Sequence, residues 1–318
     1  MIKQAVQRTA CFCFPAKYVI ILPVIFKQKN HIAIDLLLIL ILLSSCSSGQ
    51  ESGRTAATDE VSIPTPTEAP LAARVNGEGI LLSEYEAELN RYQAGMEQLG
   101  DPYDPELAKQ DVINDLVAQA LFAQAAAAQN YFIDEVDLQV KIDQYAEAAG
   151  SQDALQAWIV DNFYDPDSFR AAVSRDMAVV WMRNYLIAQV PKTAEQVHAR
   201  QILVKSENEA ISIQRQLEVG TSFISLAFSY DLLTGGELGW FPRGYMLQPD
   251  VENAAFSLQP GQYSGIIPTS LGFHIVEVIE VDSQHSLSQD ALLFMQRQAL
   301  EKWLDEQINQ STIEILIS

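Results

Sequence analysis

Residues 273–281 read Phe-His-Ile-Val-Glu-Val-Ile-Glu-Val. Their alternation of apolar and polar side chains predicts a strand with one buried face. Gly272 before it marks a tight turn. Further upstream, Thr234-Gly235-Gly236-Glu237-Leu238-Gly239-Trp240-Phe241 reads as a loop, and Thr221 caps a short helix through Phe228. Ser206 and Glu209 form a capping box, opening a helix that ends at Gly220. Ile202-Leu203-Val204 is a short buried strand. From Val197 the chain therefore reads as a compact α/β module. After it, Leu287 to Ile308 is an amphipathic helix with Leu292, Met295, Ala299 and Trp303 along one face, and Thr312 to Ile317 is a strand.

The segment before the module is helical. Leu71 to Ile80 is a strand interrupted by the turn Asn76-Gly77, and Ser83 with Glu86 opens a helix to about Leu99. Asp104-Pro105 pairs an N-cap with proline at the first helical position, starting a helix through the alanine-rich stretch 118–129. A third helix spans 134–149, stopped by Gly150, and a fourth runs from Ser151 to about Asn162. Asp165-Pro166 starts a fifth, which ends before Val190-Pro191. In that helix Phe169, Val173, Met177, Val180 and Trp181 recur at helical spacing, which fits core or the lining of a peptide groove. The carboxylates of this region are scattered over polar faces and form no catalytic constellation.

The whole chain has 318 residues, with 20 Lys and Arg against 41 Asp and Glu, a net charge of −21. Such an acidic balance excludes a nucleic-acid-binding surface as the default and disfavours electrostatic docking on anionic lipid. Hydrophobic residues at 48% and charged residues at 19% exclude a wholly disordered chain. At ~150 residues per domain the length fits two domains. Cys11, Cys13 and Cys46 all precede the folded body, so nothing downstream forms a disulfide or a thiolate metal site. With only His31, His198, His274 and His285 as imidazoles, no metal centre is expected.

Ile32 to Leu43 (IAIDLLLILILL) is shorter than the ~20 residues of a spanning helix and suits the apolar core of a signal peptide. Lys27, Lys29 and His31 precede it, and Leu43-Ser44-Ser45-Cys46 resembles the bacterial lipobox. That resemblance implies lipidation of Cys46 and an extracytoplasmic protein anchored to a bacterial membrane. Residues 1–45 are thus read as a targeting segment. Within it, 1–26 is an extension upstream of the true start or a second membrane segment. Residues 46–70 are then the lipidated cysteine and a flexible linker.

The module also carries a family resemblance. Ala199-Arg200-Gln201-Ile202-Leu203-Val204-Lys205, Gly235-Gly236-Glu237-Leu238-Gly239-Trp240-Phe241 and Ala254-Ala255-Phe256-Ser257-Leu258 are its first motifs. Pro260-Gly261-Gln262-Tyr263-Ser264-Gly265 and Thr269-Ser270-Leu271-Gly272-Phe273-His274-Ile275 follow in order. Together they resemble the parvulin class of peptidyl-prolyl cis/trans isomerases. The preceding helical segment, starting at Arg74-Val75-Asn76-Gly77-Glu78, looks like the chaperone lobe of SurA- and PrsA-type foldases.

Several residue roles follow from the parvulin resemblance. It implies a proline pocket on Leu238, Phe241, Met246 and Val251, the last standing where the family usually carries Phe. A smaller wall there widens the pocket. The resemblance also implies a catalytic polar cluster of Gln201, Asp231, Thr269 and His274, with Gln201 at a position commonly occupied by His. Gln still donates and accepts hydrogen bonds but cannot titrate. His198 belongs on the strand face opposite Gln201. Lys205 is followed by Ser206-Glu207-Asn208-Glu209, an acidic run that would repel phosphate, which favours unphosphorylated Xaa–Pro segments.

The expected fold is α+β. It comprises a discontinuous helical lobe (71–195) and one parvulin domain with a small antiparallel sheet (196–282). Residues 283–318 return to the lobe, with 312–317 pairing near 72–75. Two functions fit: an isomerase and chaperone for unfolded or nascent exported proteins, requiring no cofactor, or a non-catalytic holdase whose parvulin domain only binds peptide. Neither involves nucleic acid.

Overall fold

The computed structural model describes residues 69–317. The expectations for the targeting segment, Cys46 and nearly all of the linker lie outside the described residues. Two compact units emerge. One comprises the described residues up to Val117, together with Ile133–Ser174 and the chain from Thr312 onward. The other comprises Ala118–Phe132 and Arg175–Ser311. Among the described residues no helix is long and apolar enough to cross a membrane.

The first unit begins with a hairpin of β1 (Leu71–Val75) and β2 (Glu78–Leu81). Its turn needs two left-handed residues, which Asn76 (φ 52°) and Gly77 (φ 86°) supply. The last strand, β7 (Ile313–Ile315), pairs antiparallel with β1, placing Ile315 opposite Ala73 and Ile313 opposite Val75. This is the pairing expected for 312–317. Ala72, Ala73 and Val75 in the middle strand are wholly buried.

The helices that follow along the chain are α1 (Leu82–Leu99), α2 (Pro105–Ala128), α3 (Glu135–Ala149), α4 (Gln152–Asp161) and α5 (Pro166–Ala188). Of the predicted caps, those at Asp104 and Asp165 form, and Asp134 and Ser151, read only as helix starts, cap as well. Asp104 Oδ1 accepts from the Glu106 and Leu107 amides. Asp134 accepts from Asp137 N, Ser151 Oγ from Ala154 N, and Asp165 Oδ1 from the Asp167 and Ser168 amides. Ser83 does not cap α1. The strand β2 passes directly into the helix at Leu82, so Ser83 is already inside its first turn, and Leu81 precedes it with no side-chain bond. Val180 is exposed rather than core; Phe169, Val173, Val179 and Met182 carry the buried stripe. Within the first unit the Arg91 guanidinium donates to Asn162 O and lies 3.9 Å from the Tyr164 ring centre, tying α1 to the chain between α4 and α5.

The second unit is built on an antiparallel sheet ordered β4-β3-β6-β5. Its strands are β3 (Thr193–Val204), β4 (Glu237–Pro242), β5 (Ile267–Thr269) and β6 (Gly272–Ser286). Helices α6 (Glu207–Glu218), α7 (Phe223–Tyr230) and α8 (Pro249–Ala255) complete the module, followed by α9 (Gln289–Gln310).

Three sequence expectations change here. The strand read at 202–204 extends back to Thr193, and the segment read as a loop at 234–241 is β4 from Glu237 onward. The strand 273–281 does not bury one face alone. Ile275 joins Ile202, Val204, Ile213, Leu217, Phe223 and Leu226 on one side of the sheet. Val276 and Val278 join Val197, Ala199, Phe241, Val251 and Ala255 on the other. Helices cover both faces at the centre of β6, so apolar side chains are favoured at successive positions. Each fully buried Ile, Val or Phe in these layers contributes ~1.5–3 kcal/mol.

Capping differs as well. Ser206 precedes α6 without a side-chain bond, and Ser222 rather than Thr221 precedes α7. In α9, Ser288 Oγ accepts from Ala291 N, and Trp303 packs on Phe122 of α2 with ring centres 4.5 Å apart.

Candidate functional site

Strand register places three polar side chains in one row. His274 on β6 stands opposite Leu203 on β3 and opposite Ile267 on β5. Gln201 and Thr269 each lie two residues from those partners, so both share the face of His274 as its diagonal neighbours. His274 Nδ1 is 2.7 Å from Gln201 Oε1, and its Nε2 is 2.8 Å from Thr269 Oγ1. Leu271 N donates to the same hydroxyl at 3.1 Å. The arrangement assigns the proton to Nδ1, with the Thr269 hydroxyl donating to Nε2. His274 is only 2% exposed. Burial, and secondarily the Lys205 charge, hold its pKa below the usual imidazole value, so it is neutral near pH 7. Lys205 Nζ is itself fixed on Leu271 O at 2.7 Å.

Asp231, which ends α7, stands outside this row. Its Oδ1 accepts from the Leu233 and Thr234 amides, each at 3.1 Å. Its Oδ2 accepts from the Thr234 hydroxyl and, at 3.3 Å, from Gly236 N. These bonds, the Thr234 hydroxyl foremost, hold its pKa below the ordinary carboxylate value. The link to the row runs through one residue, because Gly236, whose N–H meets Asp231, accepts from Gln201 N on its carbonyl at 2.8 Å. Position 236 admits only glycine: φ is +70°, and a Cβ would lie 1.8 Å from Gln201 O.

On the same sheet face Leu238, Phe241, Met246 and Val251 come together in one apolar cluster. Phe241 and Val251 are buried, and Leu238 and Met246 are half-buried. Sequence reading left two neighbours unassigned. Phe256 meets Phe241 edge-on with ring centres 5.9 Å apart, and the Arg243 guanidinium covers its ring at 4.1 Å. The aromatic residue at the centre of the Ala254–Leu258 motif is a visible signal for it. Glu252 is a buried carboxylate beneath the turn that carries Met246, and nothing in its spacing marks it as buried.

His198 stands opposite Trp240 on the strand face away from Gln201, as expected from its position. It bonds Glu237 through Nε2, and Trp240 stacks on His285 with ring centres 3.9 Å apart. Among the described residues no group of His, Cys, Asp and Glu is arranged to hold a metal ion.

Residues 190–280 match the family model described as a PPIC-type PPIase domain, and residues 22–183 match that of the SurA-like N-terminal domain. A protein of Caldanaerobacter subterraneus subsp. tengcongensis named foldase protein PrsA is 27% identical over 79% of this chain and 82% of its own. Foldase protein PrsA 2 of Bacillus cereus is 41% identical over 27% of this chain and 31% of its own. A Helicobacter pylori protein named putative peptidyl-prolyl cis-trans isomerase is 26% identical over 81% of this chain and 87% of its own. The motifs of the module and the two matched models agree, and the chain belongs to the PrsA- and SurA-like foldases, with a SurA-like N-terminal domain followed by a parvulin-type rotamase domain.

Proposed function

We propose that this foldase accelerates cis/trans exchange of unphosphorylated Xaa–Pro bonds in exported proteins, using the face that carries Gln201, His274 and Thr269. The observation that supports this most is the coincidence on one sheet face of that hydrogen-bonded row and the cluster of Leu238, Phe241, Met246 and Val251. Rotation about the bond costs ~18–20 kcal/mol because amide resonance is lost. No bond need be made or broken, so neither nucleophile nor cofactor is required. An apolar pocket takes the proline ring, and the neutral His274 row holds β3, β5 and β6 in fixed register around it. Asp231 is ionised and sits in the adjoining loop. A carboxylate near the target carbonyl disfavours the resonance form that puts negative charge on that oxygen, which favours the twisted amide. Catalytic roles are accordingly given to Asp231, His274, Thr269 and Gln201.

The acidic first turn of α6, with Glu207 and Glu209 just after Lys205, favours unmodified over phosphorylated segments. Residues 71–195 and 283–318 are proposed as the chaperone lobe and 196–282 as the isomerase domain. Cys46 is proposed as the lipid anchor at the outer face of a bacterial membrane. A second reading, peptide binding without turnover, draws on the near-complete burial of Phe241 and Val251, at 2% and 0% exposure. NMR exchange of an unphosphorylated Xaa–Pro peptide separates the two. Acceleration by the parent and its loss in Asp231→Ala support the isomerase. No acceleration, with aggregation of an unfolded client still suppressed, supports the holdase.

A further inference from the structure

The turn between β4 and α8 carries Met246, and its own apolar side chains do little to fix it. Met246 is half-buried, while its neighbour Leu247 is 91% exposed. What fixes the backbone is Glu252, only 8% exposed and next to the fully buried Val251 on α8. One of its oxygens, Oε1, accepts from Gly244 N at 2.7 Å, and the other, Oε2, accepts from Met246 N at 3.0 Å. Burying a carboxylate is costly unless its lone pairs are used, and here both oxygens accept charge-assisted bonds from one turn. Gly244 has φ +80°, the left-handed conformation with which its N–H meets Glu252. Tyr245, between the two bonded amides, packs edge-on against Phe294 of α9 with ring centres 5.2 Å apart. The turn is therefore held on its backbone by the two short Glu252 bonds, with longer bonds from Tyr245 N to Pro242 O at 3.4 Å and from Gln298 of α9 to Gly244 O at 3.5 Å, and by α9 through the Tyr245 ring.

We infer that Glu252 is a positioning residue for the proline pocket: its buried carboxylate fixes the Gly244–Met246 turn and with it the Met246 side chain. This rests on the reading of Met246 as pocket wall. Because the pocket grips the ring in the planar and the twisted amide alike, loosening that wall weakens binding more than turnover.

The test compares the full chain with Glu252→Ala, Glu252→Gln and Met246→Ala, measuring kcat and KM for an unmodified Ala–Pro peptide. The Gly244 and Met246 amide proton shifts are followed alongside. Glu252→Ala is expected to raise KM about tenfold with kcat within about twofold, a loss of roughly 1.4 kcal/mol in binding. Both amide protons should move upfield as their charged acceptor disappears. Glu252→Gln keeps one acceptor oxygen and should recover part of the KM. Unchanged KM in a folded Glu252→Ala, with both amides displaced and Met246→Ala raising KM, overturns the positioning role and leaves the pocket standing. Unchanged KM in Met246→Ala overturns the pocket reading and this inference with it. Should Glu252→Ala not fold, Glu252→Gln decides: displaced amides with unchanged KM overturn the role.

Discussion

His274 Nδ1 and Gln201 Oε1 lie 2.7 Å apart, joining the two central strands of the rotamase sheet by one side-chain bond across a diagonal of the ladder. The parvulin family commonly places His at position 201, and here an amide supplies the acceptor. Neutral His274 needs an acceptor at Nδ1 once Thr269 donates to Nε2, and a Gln carbonyl meets that need at every pH. In Gln201→Leu the buried N–H is left unpaired, which costs about 1–3 kcal/mol. Urea unfolding of the full chain should show this loss, whereas Gln201→His should retain most of the stability. Equal stability of the Leu variant and the parent would mean that the bond does not hold the strands.

His274 also sets a pH dependence with a definite sign. Burial lowers its pKa in the folded state below the ~6.5 of an unfolded chain. Well above that value the ring is neutral in both states and contributes no slope. As pH falls through the window between the unfolded and the lower folded value, only the unfolded chain takes up the proton, so stability declines. Below the folded value the slope from this group ends. The difference in unfolding free energy between parent and His274→Gln, measured from about pH 7.5 to 5, should therefore shift against the parent on acidification. A difference independent of pH would show that His274 titrates normally.

Asp231 yields a prediction about activity instead. Its bonds from Thr234, Leu233 and Gly236 hold its pKa below the ordinary carboxylate value, so it stays ionised throughout the neutral and mildly acidic range. Any acid limb of kcat/KM above about pH 5 must then belong to another group. Asp231→Asn preserves an acceptor oxygen and removes the charge, and is expected to lower kcat about tenfold or more while circular dichroism stays unchanged. Full activity in that variant would reduce Asp231 to a loop organiser.

Legibility of these features in the sequence followed the range of the forces that make them. Asp104, Asp134, Ser151 and Asp165 cap helices through bonds two or three residues along the chain; local spacing marks Asp104 and Asp165 as caps and the other two only as helix starts. Ser83 and Ser206 carry the same local signal and make no such cap: Ser83 lies inside the first turn of α1, and Ser206 stands at the N-cap of α6 without a side-chain bond. The alternation at 273–281 gave the strand but misjudged its burial, since α6 to α8 cover both faces and no local pattern records that. In the site, the motifs named Gln201, Asp231, Thr269 and His274 as one polar cluster, and the strand register joins three of them on one face with Asp231 outside the row. The motifs said nothing of the Gly236 backbone that stands between Asp231 and Gln201. Glu252 was invisible because a charged residue on a short helix ordinarily faces water.

Gly236 tests that peptide link directly. A Cβ there would fall 1.8 Å from Gln201 O, inside any allowed contact, and the neighbour is backbone that cannot step aside. Gly236→Ala must break the Gln201 N to Gly236 O bond or displace β3, at a cost of more than about 3 kcal/mol. Thermal unfolding is the measurement, and a melting temperature within about 2 °C of the parent would contradict the close approach.

The closing strand makes the last prediction. Asn76 N donates to Thr312 O at 2.8 Å, Thr312 N returns a bond to Asn76 Oδ1 at 3.0 Å, and Leu316 N reaches Ala72 O at 2.9 Å. These bonds join residues more than two hundred positions apart, so they form only when the chain closes on itself and are lost together if β7 is absent. Without β7, β1 becomes an edge strand and its own residues Ala73 and Val75 lose their cross-strand partners. Ending the chain at Ser311 should therefore speed hydrogen exchange of the Asn76 amide by about a hundredfold or more and promote aggregation at high concentration. Ile313→Lys should act in the same direction more weakly, because it keeps the backbone ladder while placing a charge against Val75. Unaltered exchange at Asn76 in the truncated chain would show that β1 and β2 are secured without the C-terminal strand.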